Sequence, residues 1–245
     1  MKKLSLVTAL VVVLALGSAA LGADVAVLKS EMQQNWYLSL GWDFDGEYRN
    51  ILATLDGLGL SYVELSDEQL AAGEFGDAKL LIMVNNRMMS AAQVEAVRAF
   101  LAGGGKLLGM YQSSFRNEEN QNVNPPNAYQ LDDVYKVAYI NWTGSPPMHA
   151  YIKGDTSHPI WEGLPEFVPT ARYTAMVNAT LEGATVIGEW YNADQTTKSQ
   201  ADLFNAAIVE SDGVIYVGES LFDPIVYADD AVKKLVQNII NYLLQ

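Results

Sequence analysis

Two spacings of apolar positions alternate along the chain. Residues 24–28 form a short apolar run and predict a first strand. Phe44, Tyr48, Ile51, Leu52, Leu55 and Leu58 then recur at the spacing of one helix face. Asp43 and Asp45 stand where a helix N-terminus favours negative charge, and Gly57 and Gly59 predict its end. Residues 61–65 predict a second strand. Ser66 with Gln69, and Ser90 with Gln93, are pairs of the capping-box type that open helices. Residues 79–84 (KLLIMV) are continuously apolar, as expected of a strand covered on both faces. Val94, Val97 and Leu101 share the next helix face. Gly103, Gly104 and Gly105 end that helix, and residues 106–111 predict another strand.

This order is βαβαβαβ with short connections. Parallel strands need such crossovers, and right-handed crossovers put helices on both faces. The pattern therefore predicts an α/β fold with a doubly wound, mostly parallel sheet of flavodoxin-like type and additional β-strands in the C-terminal half. In that half, residues 112–134 are polar and rich in Asn and end in a Pro125-Pro126 loop. Strands are predicted over 135–142, 149–153, 184–190, 206–210 and 213–219, with Asp212-Gly213 as a hairpin turn. Residues 158–170 read as an ordered loop. Val232, Leu235, Val236, Ile239, Ile240 and Leu243 mark a final amphipathic helix, with Asp229-Asp230 as its cap. Neither a linker nor an internal repeat interrupts 24–245, which reads as a single domain.

Residues 1–23 read differently. Lys2 and Lys3 precede an apolar stretch over 4–16, closed by small residues. This is the layout of a cleavable signal peptide cut near Gly22 or Ala23, so the expectation is a secreted or periplasmic protein with no membrane attachment after cleavage. The chain has 245 residues and no cysteine, which excludes a disulfide scaffold, a thiolate metal site and a cysteine nucleophile. Its formal net charge of -14 opposes binding to nucleic acid or to an anionic membrane surface.

Residues 85–120, NNRMMSAAQVEAVRAFLAGGGKLLGMYQSSFRNEEN, resemble the class I glutamine amidotransferase-like superfamily. Within it they are most similar to beta-galactosidase trimerisation-type and other glycosidase-associated domains. The matching features are Ser90, Gly104, Gly105, the strand to Tyr111, Ser113 or Ser114, and Glu118-Glu119-Asn120; residues 158–165, HPIWEGLP, resemble a loop of the same group. The resemblance implies an amidotransferase-like fold. It also exposes a departure: amidotransferases carry a cysteine at the sharp turn after such a strand, and this chain has none. Glutamine hydrolysis by the thiol mechanism is excluded, which points away from an enzyme.

Candidate chemistry is sparse. Ser113 and Ser114 follow a strand where a nucleophile would sit, but the flanking glycines of a hydrolase elbow are missing. His149 and His158 are the only histidines, and a serine hydrolase would have to pair Ser113 or Ser114 with His158. Asp43, Asp45 and Glu47 lack the rest of a calcium loop and read as helix N-terminal acids. Gly103-Gly104-Gly105 precedes a strand rather than a helix, so it cannot aim a helix N-terminus at phosphate. No metal or cofactor is therefore expected. Ligands of open α/β sheets sit beyond the strands' C-terminal ends, where Asn85, Asn86, Arg87, Tyr111, Gln112 and Ser113 should converge. Trp36, Tyr37, Trp42, Tyr129, Trp142, Trp161, Trp190 and Tyr191 fall in or near predicted loops. Aromatic faces with amide donors suit a sugar or polyol; the competing reading is core or interface packing. The sequence thus predicts an exported, non-catalytic amidotransferase-like domain. It would act in protein association, as a homo-oligomer or with a protein partner, or bind a small polar ligand such as a carbohydrate.

Overall fold

The computed structural model describes residues 22–123, 129–142, 149–170 and 175–245. The expected leader lies almost wholly outside the described residues, as does the Pro125-Pro126 loop.

The N-terminal half follows the predicted alternation: β1 (Val25–Leu28), α1 (Glu31–Leu40), α2 (Phe44–Leu58), β2 (Tyr62–Leu65), α3 (Asp67–Ala71), β3 (Leu80–Val84), α4 (Ala91–Ala102) and β4 (Lys106–Met110). Both capping boxes form, with Ser66 and Ser90 accepting from the backbone of Gln69 and Gln93 and each glutamine reaching back. Asp43 caps α2, accepting from the Gly46 N–H at 2.8 Å. The second half supplies α5 (Asp132–Tyr135), β5 (Val137–Trp142), β6 (Tyr151–Gly154), β7 (Phe167–Pro169), β8 (Met176–Thr180), β9 (Thr185–Tyr191), β10 (Ala206–Ser211), β11 (Val214–Val217) and α6 (Asp230–Leu243).

Nine of these strands form one sheet in the order β2-β1-β3-β4-β11-β10-β9-β6-β7. The first five pair in parallel. The remainder pair antiparallel, extending the sheet from β11. The predicted α/β class and mainly parallel doubly wound core are therefore observed. The parallel part has the flavodoxin-like order, with β11 in the fifth place. Strand direction reverses at the β10–β11 hairpin, where Gly213 takes the left-handed φ of 69° that its turn requires.

Two cores sandwich the sheet. On one face α2 and α6 pack against Val25, Val27, Ile82, Leu108 and Ile215. On the other, α3, α4 and α5 cover Ala26, Leu81, Leu107 and Tyr216. Val232, Leu235, Val236, Ile239 and Ile240 of α6 are wholly buried, each worth about 1.5–3 kcal/mol of transfer free energy. On the opposite face Tyr135 needs Gly109: a Cβ there would stand 2.5 Å from its ring.

Three local expectations are corrected. Residues 31–40, read as a polar-aromatic loop, form α1, opened by the Ser30 side chain. The stretch 158–170 contains a 3₁₀ turn (Pro159–Trp161) and β7 rather than loop alone. His149 precedes β6 instead of lying in it, and β8 pairs with β5 in a separate two-stranded sheet.

Candidate functional site

The parallel strands end together, and their ends carry unusual backbone. Asn85 follows β3 with a φ of 51°, and Tyr111 follows β4 with a φ of 54°. Neither is glycine, so each stores strain of about 1 kcal/mol or more. Ladder-extending bonds hold them: Asn85 N donates to Met110 O at 3.2 Å, and Tyr111 N donates to Val217 O at 2.8 Å.

Beyond these ends lies a cavity of about 530 Å³. Asn85 and Tyr111 form its floor. Tyr37 and Trp42 come from the segment after β1, Glu47 from α2, and Glu219, Ser220 and Asp223 from the loop after β11. Glu47 is buried. Its Oε2 accepts from the Tyr37 hydroxyl at 2.5 Å, and its Oε1 accepts from the Ser220 hydroxyl. Asn85 Nδ2 in turn donates to the Tyr37 oxygen. Burial, followed by the adjacent Glu47 carboxylate, pushes the Tyr37 hydroxyl pKa well above the ordinary phenol value. Its single proton is thus committed to Glu47. The Asn85 amide therefore presents Oδ1 as an acceptor. That atom is buried and has no hydrogen-bond partner among the described residues.

The six residues expected to converge divide into three pairs. Asn85 and Tyr111 line the cavity. Arg87 and Gln112 meet beside it, with Arg87 Nη1 donating to Gln112 Oε1 at 2.5 Å. The guanidinium lies over Trp36 and Phe115, 4.9 and 5.2 Å from their ring centres. Burial lowers its pKa to about 10, assisted by Arg116. Asn86 and Ser113 belong to the loop's interior. Ser113 Oγ is 2.7 Å from Met110 O and 3.0 Å from Met83 O, and it accepts from Asn86 N.

The Ser–His alternative is not assembled. Ser114 Oγ accepts from Leu131 N at 3.3 Å. His158 instead caps the 3₁₀ turn through Nδ1, its Nε2 lies 3.3 Å from Glu210 Oε2, and its ring meets Tyr242 edge-on. Glu210 sits opposite Ile215 within β11, away from the strand ends. The sequence offered a histidine and two serines but not their separation across the sheet. His149 stacks on Trp190 at 4.4 Å, buried, and desolvation lowers its pKa to about 4.

Among the aromatics, Trp36, Tyr37 and Trp42 cluster with Phe44 at the cavity's edge. Tyr129, Trp161 and Trp190 are core residues, and Trp142 is exposed. Glu47, read from the sequence as a helix N-terminal acid, is instead buried and lines the cavity. Its signal was position: it lies between Phe44 and Ile51 on the apolar face of α2, where an acid needs buried partners. Among the described residues no group of three or more His, Asp or Glu could hold a metal ion, and no helix is long and apolar enough to cross a membrane.

No protein-family model and no curated protein sequence matches the chain. Solved structures do share its fold. The beta-galactosidase from Bacillus circulans sp. alkalophilus matches with a TM-score of 0.66 and 19% identity over 90% of this chain and 30% of its own. That from Rahnella sp. R3 gives 0.66 and 16% over 89% of this chain and 31% of its own. A ThuA-like protein from Bacteroides uniformis gives 0.63 and 12% over 89% and 90% of the two chains. The chain thus spans about a third of those beta-galactosidases and nearly all of the ThuA-like protein, and its α/β architecture is the one these proteins share.

Proposed function

We propose that this is a non-catalytic, carbohydrate-associated binding domain whose cavity at the strand ends takes a small polar ligand. The observation that carries the reading is Asn85: a cavity-lining residue whose buried amide oxygen has no hydrogen-bond partner among the described residues. Leaving such a group unmatched costs about 1–3 kcal/mol, and a ligand hydroxyl or N–H would satisfy it. The Trp42 ring at the same wall offers an apolar surface for the C–H face of a sugar or polyol. No histidine, lysine or cysteine lines the cavity among the described residues, and recognition fits the site better than turnover. The test is saturation-transfer NMR against a panel of monosaccharides and polyols. Transfer to a panel member, lost in Asn85→Ala, supports the reading; no transfer to any member overturns it.

Self-association is the second reading. Ile140 and Trp142 lie two residues apart on β5 and are 49% and 54% exposed. The similarity to beta-galactosidase trimerisation-type domains points the same way. Sedimentation velocity should then show an oligomer that Trp142→Ser weakens. Export by a cleaved leader belongs to this proposal too, and N-terminal sequencing of the exported protein, starting near Ala23 or Asp24, would test it.

A further inference from the structure

We infer that the ligand of this cavity carries a positive charge: a primary amine such as an amino sugar, rather than a neutral sugar. The inference rests on the binding role proposed above and adds the ligand's chemical class.

The cavity combines an unmatched acceptor with several carboxylates and no lining cation among the described residues. Tyr37 and Ser220 are the hydroxyls around Glu47, and both give their protons to its carboxylate. If the Asn85 amide were turned over, its oxygen would need the Tyr37 proton that Glu47 already holds. Asn85, which lines the cavity, is therefore left with its acceptor unmatched, and Oδ1 is a buried atom with no hydrogen-bond partner among the described residues. The remaining polar wall is mainly acidic, with Asp43, Glu219 and Asp223 beside the donor-bearing residues Tyr111 and Trp42. No lysine, arginine or histidine lines the cavity among the described residues. Arg49 is exposed, with Nη2 4.0 Å from Asp43 Oδ2, and the Arg87 guanidinium beside the cavity is bonded to Gln112.

A neutral hydroxyl can donate to Asn85 Oδ1, but it carries no charge to offset the carboxylates of Asp43, Glu219 and Asp223. An ammonium group only donates, and it offers three N–H bonds. It would bond Asn85 Oδ1, offset the carboxylates and sit against the aromatic faces of Trp42 and Tyr37, which attract cations. An anionic ligand would face repulsion from every acid in the wall.

The experiment is isothermal titration calorimetry of the full chain at about pH 6.5, where the probe amines are protonated. The probes are glucosamine, N-acetylglucosamine, glucose and putrescine. Glucosamine should bind at least about tenfold tighter than glucose or N-acetylglucosamine, as expected for a charge-assisted bond against a neutral one. Putrescine should compete with it. Asp223→Asn and Glu219→Gln, which preserve shape, should each weaken glucosamine binding by a larger factor than glucose binding. Equal binding of glucosamine and glucose would overturn the charge inference and leave the binding role standing. Binding of none of the four would overturn both. The wild-type comparison decides the matter even if a variant fails to fold.

Discussion

The Tyr37 hydroxyl meets Glu47 Oε2 at 2.5 Å, joining the helix after β1 to the first turn of the helix that follows it. Ser220 reaches the same carboxylate from the loop after β11. One buried acid thus ties two consecutive helices to a loop 173 residues further along the chain and lines the cavity. Tyr37→Phe removes a charge-assisted bond and leaves Glu47 buried with one fewer donor. It should lower the unfolding free energy by about 1.5–3 kcal/mol, read from urea denaturation. A change within about 0.5 kcal/mol would mean that Glu47 does not depend on this hydroxyl.

His149 makes stability depend on pH. Desolvation lowers its folded pKa to about 4, against an ordinary value near 6.5. In this interval the unfolded chain binds the proton and the folded one does not. The contribution of His149 is therefore complete above about pH 6.5 and falls as pH drops towards about 4, at up to about 1.4 kcal/mol per pH unit. Replacing His149 by Phe should flatten that part of the stability profile. An unchanged slope would place the pH dependence elsewhere.

Ser113 is a structural residue, its hydroxyl committed to the carbonyls of Met83 and Met110. Ser113→Ala should cost about 1 kcal/mol. Ser113→Ala and His158→Ala share no hydrogen-bond partner, so their effects on stability should add to within about 0.5 kcal/mol. A larger coupling energy in the double-mutant cycle would revive the idea that the two act as a unit.

Gly109 tests the packing of the opposite face. An added Cβ would lie 2.5 Å from Tyr135, whose ring is fully buried. Gly109→Ala should destabilise by about 1–3 kcal/mol through overpacking. Adding Tyr135→Leu should recover part of the loss. If Gly109→Ala melts like the parent, Tyr135 has room to move that the packing does not suggest.

Much of the fold was legible because local chemistry and global topology agree. Ser66–Gln69 and Ser90–Gln93 open their helices as the sequence predicts, and the apolar run before Asn85 is the central strand it suggests. Helix α1 was hidden because Trp36, Tyr37 and Leu38 interrupt any clean apolar stripe; Tyr37 is buried and lines the cavity, whereas Leu38 is exposed. The candidate site was half legible. Asn85 and Tyr111 follow from the rule that ligands collect at strand ends. Glu219, Ser220 and Asp223 did not, because their place depends on β11 lying beside β4, a pairing between segments about a hundred residues apart. The Ser–His suggestion failed for the same reason: residue type can be read along the chain, whereas distance across the sheet cannot.

The side-chain amide of Asn85 gives the most direct test of the cavity as a binding site. In ¹⁵N-resolved NMR spectra of the full chain titrated with glucosamine, the Asn85 NH₂ pair and the Trp42 indole N–H should shift together, saturably and with one dissociation constant. If these signals stay fixed up to millimolar ligand, or if shifts collect at a surface remote from both residues, the cavity is not the site and the account is wrong.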